Sequence, residues 1–79
     1  MTTIKIKLDS IERIKSFNQK VQKFPEEFDL EQGRYYIDAK SMMGLLSLDL
    51  NAPIDLHFQA SQSEEAQIMD ALKEYVTEG

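Results

Sequence analysis

The sequence predicts an α+β fold: a four-stranded antiparallel sheet with one open, wet face and three helices packed on the other. Three observations lead there. Short segments near residues 3–8, 28–32, 34–39 and 54–60 alternate apolar and polar residues with a period of two. Segments near 11–24, 42–48 and 62–76 carry apolar residues at helical spacing behind a polar cap. The two kinds interleave as β-α-β-β-α-β-α. Every strand has a polar face, so the sheet is covered on one side only, which suits antiparallel pairing. The helices then share the apolar side, giving a two-layer open-faced β-sandwich. The 79 residues make a single domain, 1-79, with no repeat or linker. At this size roughly 60% of the unfolded surface is buried on folding, so the core is small.

Thr3 to Leu8 sets Ile4, Ile6 and Leu8 against Lys5 and Lys7, a half-buried strand. Asp9-Ser10-Ile11-Glu12 resembles a capping box in which either Asp9 or Ser10 is the cap. Ile11, Ile14, Phe17, Val21 and Phe24 then form one stripe of a helix running to about Phe24. Pro25 stops it, because the residue before a proline avoids the helical region. Phe28 and Leu30 alternate with Asp29 and Glu31 in a second strand, and Gln32-Gly33 supplies a turn through glycine's access to positive φ. The return strand, Arg34 to Ala39, sets Tyr35, Ile37 and Ala39 on one face and Tyr36 and Asp38 on the other. Ser41 caps a short helix reaching Leu46 or Leu48, and Asn51-Ala52-Pro53 forms a loop. Ile54, Leu56 and Phe58 point inward from the fourth strand, with Asp55, His57 and Gln59 outward. Ser61-Gln62-Ser63-Glu64 is a second capping box. Ile68, Met69, Leu72, Tyr75 and Val76 line the last helix, and Glu64 and Glu65 favour its dipole.

Composition narrows the function. There is no cysteine, hence no disulfide framework or thiolate metal site, and the single histidine and the carboxylates show no ligand spacing. No metal or cofactor is expected. The net charge of −5 disfavours a phosphate backbone, so no nucleic acid is expected. A basic run from Lys5 to Lys23 reads as a solvated helix face. MTTIKIKL lacks the continuous apolar stretch of a signal peptide, and no run reaches the roughly 20 apolar residues of a membrane span. The expectation is a cytoplasmic protein without membrane contact.

The element order, with Lys40-Ser41-Met42-Met43-Gly44-Leu45-Leu46-Ser47-Leu48 after the third strand, resembles the HPr-like family. These are the histidine-containing phosphocarrier proteins of the bacterial phosphotransferase system. The resemblance covers nearly the whole chain and implies the strand order 1-4-2-3. It also implies a phosphate-bearing histidine at the start of the first helix, followed two residues later by arginine and then proline. Leu8-Asp9-Ser10-Ile11-Glu12-Arg13-Ile14 has neither histidine nor proline and is shorter than the family's segment. Arg13 is left as a relic of the family's phosphate-site arginine. His57 lies mid-strand on the wet face, far from that helix, with no orienting partner visible, and reads as solvated. No catalytic residue is assigned, and the chain is not expected to be an enzyme.

What the resemblance leaves is the segment at Ser41. In many family members the matching serine is phosphorylated by a dedicated kinase, and the modified protein binds a transcriptional regulator. The residues matching Met42, Met43 and Leu46 form an exposed patch that docks protein partners. Methionine suits such a surface because its flexible thioether adapts to different partners. A capping serine also needs no regulation to explain it, and the same apolar side chains could complete a small core. The expected function is a non-catalytic, regulatory or protein-binding member of the family. Its partners would be a serine kinase, a transcriptional regulator or phosphotransferase-system components. The alternatives are a phosphocarrier using a non-standard residue, or a scaffold or oligomerising module that kept the fold and lost the pathway.

Overall fold

The structure, a computed structural model, describes residues 1–78. Its elements are β1 (Thr2–Ile6), α1 (Ile11–Gln22), β2 (Phe28–Gln32), β3 (Tyr35–Asp38), α2 (Met42–Leu45), β4 (Ile54–Phe58) and α3 (Gln62–Leu72). A 3₁₀ turn, Lys73–Tyr75, extends α3. The strands form one antiparallel sheet in the order β1-β4-β2-β3, as the resemblance implied. The register aligns Ile4 with Leu56, Leu56 with Leu30, and Leu30 with Ile37 across all four strands. Their shared face carries the core. Leu30, Leu56, Phe28 and Phe58 lie beneath Ile14, Phe17 and Val21 of α1, Leu45 of α2, and Ile68 and Leu72 of α3. The other face carries Thr3, Lys5, Asp29, Glu31, Tyr36, Asp38, Asp55 and His57, and no helix among the described residues covers it.

The period-two segments became strands because the alternation fits a half-covered sheet, and the boundaries moved only at their ends. Three serines end the ambiguity over caps. Ser10, Ser41 and Ser61 are the N-caps of the three helices, each hydroxyl accepting the N–H three residues on, from Arg13 (3.1 Å), Gly44 (3.2 Å) and Glu64 (3.3 Å). Asp9 is therefore not the cap. Gly33 sits at φ +59 in the β2–β3 turn, in the region that L side chains rarely adopt.

Four expectations are corrected. The α1 stripe does not include Ile11, which is 48% exposed at the first turn. The helix ends at Gln22, with Lys23 and Phe24 continuing only in i→i+3 bonds to Lys20 and Val21, since Pro25 prevents a further α turn. The α2 helix stops at Leu45, and Ser47 and Leu48 follow in turn-type bonds to Gly44 and Leu45. Val76 is not on the α3 stripe. The chain turns extended after Tyr75, and Val76 pairs with Ile6 along the outer edge of β1. Among the described residues no helix is long and apolar enough to cross a membrane.

Candidate functional site

The segment 40–48 is built from β3 upward. Asp38 ends the strand by accepting the Lys40 N–H on its carboxylate (2.9 Å) and the Ser41 N–H on its carbonyl (3.0 Å). That turn lifts the chain off the sheet edge and aims Ser41 into an extended cap (φ −90, ψ 111). Gly44 then passes close to β3. A Cβ there would lie 3.2 Å from Cδ1 and 3.3 Å from Cβ of Ile37. Leu45 drops fully into the core and Leu48 follows, so the core needs of this segment are met by those two. Met43, 83% exposed, and Leu46, 53% exposed, point to solvent beside the exposed Ser41. Met42 does not belong with them: it is half-buried and packs against the core. The expected patch is thus two side chains with Met42 as its floor. The α2 first turn has no acidic residue, and Lys40 is not free beside Ser41. Its ammonium donates to the Phe24 carbonyl (2.6 Å) and lies over the Phe28 ring.

The start of α1 is a different environment. The Arg13 guanidinium pairs with Asp9 (3.1 Å), donates to the Glu74 carbonyl (2.8 Å) and lies over the Tyr75 ring. Tyr75 in turn bonds Ser16 through its hydroxyl and meets Phe17 edge-on. Lys20 pairs with Glu74 at 3.2 Å. The hydrogen bond from Lys20 holds the Glu74 carboxyl below its ordinary range, with Tyr75 adding to it, and the same bond raises Lys20. The C-terminal segment is therefore fastened across α1, and Arg13 holds it there. Sequence reasoning missed this because no local pattern relates Arg13 to residues 74–75.

His57 also differs from the expectation. It has orienting partners on both sides: Nε2 lies 2.9 Å from Glu31 and Nδ1 lies 2.8 Å from the Thr3 hydroxyl. Tyr36 stacks on the ring at 14° between planes, and only 15% of the side chain is exposed. The signal was present in the sequence as period-two pairing, since Thr3, His57, Asp29 and Glu31 fall on one face once the strand order is known. Both ring nitrogens are engaged, which leaves neither open to a phosphate donor in this arrangement. Among the described residues no cluster of histidine, aspartate and glutamate is arranged to hold a metal.

An antiparallel sheet of order 1-4-2-3 under three helices, with a serine-capped short helix after the third strand, defines a phosphocarrier-type open-faced sandwich. Residues 12–78 match the family model described as "PTS HPr component phosphorylation site". The chain belongs to that family, the HPr component of the phosphotransferase system. Among solved structures it is similar to HPr-C-His from Thermoanaerobacter tengcongensis, with 23% identity, 94% of this chain and 89% of that one covered, and a TM-score of 0.71. It is also similar to the phosphocarrier protein HPr of Bacillus anthracis (24% identity, 96% and 94% covered, TM-score 0.69). A third is the catabolite repression protein Crh of Bacillus subtilis, described as a dimer with a swapping domain (26% identity, 95% and 90% covered, TM-score 0.62). No curated protein matches the sequence significantly.

Proposed function

We propose that this chain is a regulatory, protein-binding member of the HPr family that does not carry phosphate on histidine. It works without a cofactor as one domain, 1-79, in the cytoplasm. Phosphorylation of Ser41 by a serine kinase is its switch, and Met43 and Leu46, over the flank of Met42, are its contact with a partner. That partner is a transcriptional regulator or another phosphotransferase-system protein. One observation carries the reading: an exposed capping hydroxyl adjoins two exposed apolar side chains whose neighbours Leu45 and Leu48 already fill the core. The alternative site supports carriage poorly. With Arg13 in the place of the family's arginine, Ile11 stands where the histidine belongs, Glu12 adds negative charge, and the guanidinium is held by Asp9 and the Glu74 carbonyl.

The chemistry suits a switch. A phosphoryl group on Ser41 adds about −1.5 to −2 charges at pH 7 beside the apolar pair. It meets the unpaired N–H groups of the helix start, worth roughly 0.3–1 kcal/mol at an exposed site. The fold is preserved while the surface changes from apolar to amphipathic. The test is incubation with an HPr-type serine kinase and ATP, followed by mass spectrometry, with an ordinary HPr treated in parallel. One phosphoryl group on Ser41, absent from Ser41→Ala, is the expected result. An unlabelled chain beside a labelled control removes the switch. Partner capture that survives Met43→Lys removes the contact surface.

A further inference from the structure

The two edges of the sheet are treated differently. On the outer edge of β1, Lys7 donates to the Tyr75 carbonyl (2.9 Å), Thr77 donates to the Lys5 carbonyl (2.9 Å), and Ile6 bridges to Val76. The chain's own C-terminal segment therefore covers that edge. Among the described residues the outer edge of β3 has no such cover. Ala39 donates to the Phe28 carbonyl (2.8 Å), and the register continues through Ile37–Leu30 and Tyr35–Gln32. In an antiparallel pair the bonded positions alternate, so Tyr35, Ile37 and Ala39 bond β2, while Tyr36 turns both backbone groups outward and Asp38 its N–H, the Asp38 carbonyl being taken by the Ser41 N–H. The strand has no proline, lysine or bulge of the kind that usually blunts an edge. The Tyr36 ring leans inward onto His57, which leaves the flank of the strand to its backbone.

We propose that this edge pairs antiparallel with the same edge of a second copy of the chain, in the register that sets Tyr36 opposite Tyr36. The outward groups fit. The N–H and C=O of each Tyr36 meet those of the other copy, and each Asp38 N–H meets the Arg34 carbonyl of the other copy. The same register places Arg34 opposite Asp38, twice, on the wet face, and Tyr35 opposite Ile37 on the other. Shifting the register by two in one direction puts Asp38 against Tyr36, and by four puts it against Asp38. Charge complementarity and backbone parity thus choose one self-pairing, and a second copy is the occupant that supplies both. The contact joins two sheets into one of eight strands. It uses no residue of the Ser41 surface and stands or falls separately from it.

An edge of this length buries less than the roughly 1,000 Å² of a stable interface, so the dimer is weak, with Kd on the order of 0.1–1 mM. The test is sedimentation equilibrium of the full chain from roughly 10 µM to 1 mM, a range that brackets such a Kd. It is paired with amide hydrogen exchange by NMR at both ends of the range. The average mass should rise towards that of a dimer, with the amides of Tyr36 and Asp38 gaining protection on concentration while Tyr35 and Ile37 are protected throughout. Tyr36→Pro removes an outward donor that no internal bond uses and should leave the chain monomeric. Arg34→Asp, in the exposed turn, puts like charges opposite each other twice and should weaken association at least about tenfold. A chain that stays monomeric at the highest concentration overturns the proposal. So does a dimer that Arg34→Asp leaves unchanged, or one that persists on dilution as an exchanged-strand form would.

Discussion

Leu45→Ala and Leu46→Ala are neighbours in sequence and separate the two uses of the α2 segment. Leu45 has no exposed surface and packs in the central core, whereas Leu46 is 53% exposed. Truncating a buried leucine costs its transfer free energy plus a cavity, about 2–5 kcal/mol. For a chain of 79 residues, with total stability of roughly 4–12 kcal/mol, that is a large fraction. At about 4–8 °C per kcal/mol, a loss of about 3 kcal/mol lowers Tm by roughly 12–24 °C. Leu46 faces solvent, so its removal leaves no enclosed cavity, and the loss is limited to the covered half of the side chain, under about 1 kcal/mol. Thermal and urea unfolding by far-UV circular dichroism reads both. The chain has no tryptophan, so its three tyrosines supply the near-UV signal of tertiary packing. If Leu46→Ala destabilises as much as Leu45→Ala, Leu46 is a core residue and the surface reading of the segment fails.

Gly44→Ala is expected to destabilise by about 1 kcal/mol, because crowding against the rigid Cβ of Ile37 at 3.3 Å outweighs the helix-propensity gain of about the same size. A higher Tm in that variant would show that Ile37 yields easily. Ser10→Ala should cost about 1 kcal/mol, since it uncaps the 12-residue α1. Ser41→Ala, which uncaps only four residues, should fall at or below the low end of the capping range, about 0.5 kcal/mol. Equal midpoint shifts in urea would contradict this ordering. The Lys20–Glu74 pair gives a pH window. The lowered Glu74 carboxyl contributes stability that is present above its ordinary value of 4.5 and is lost as pH falls through the folded value. The raised Lys20 contributes stability that is present below 10.5 and is lost as pH rises through its own folded value. Tm measured from acid to alkaline pH should therefore lose part of its acid-side slope in Glu74→Gln, and an unchanged profile would show that the pair is not formed in solution.

The fold was legible because its signals are local and repeat. Strict alternation in IKIKL and IDLHF leaves one face for the core whatever the neighbours are, and SMMGLL needs only its serine to start a helix. Strand order was not legible from pattern, since any of the half-buried strands can pair with any other. The resemblance supplied it. The misplaced residues have a common cause. Ile11 and Val76 lie on helical stripes by spacing, but each falls where the backbone is entering or leaving the helix, and periodicity carries no information about where that happens. Among the site residues, Met43 and Leu46 could be seen as a surplus over one core stripe. Met42 could not be separated from them, because that depends on the angle at which the α2 helix leaves Asp38. The partners of His57 and Arg13 come from strands and turns distant in sequence.

The starts of α1 and α2 are in opposite conditions, and the difference is one of prior engagement. At the start of α1, the one arginine that could meet a phosphate is held by Asp9 and by the Glu74 carbonyl, and it covers Tyr75. Releasing it would also loosen the segment that covers the β1 edge, because Arg13 holds residues 74 and 75 and that edge is covered from Tyr75 to Thr77. A phosphate at α1 would therefore have to compete with the protein's own tertiary structure, which costs stability before any binding is gained. At α2 nothing comparable is engaged. The Ser41 hydroxyl accepts one bond from the Gly44 N–H, Lys40 is turned away to Phe24, and Met43 is 83% exposed. Adding charge there displaces a single weak cap interaction. The same sequence thus uses its basic side chains at α1 to hold the fold together, which is why the proposed switch is placed at α2, where a change of surface disturbs least.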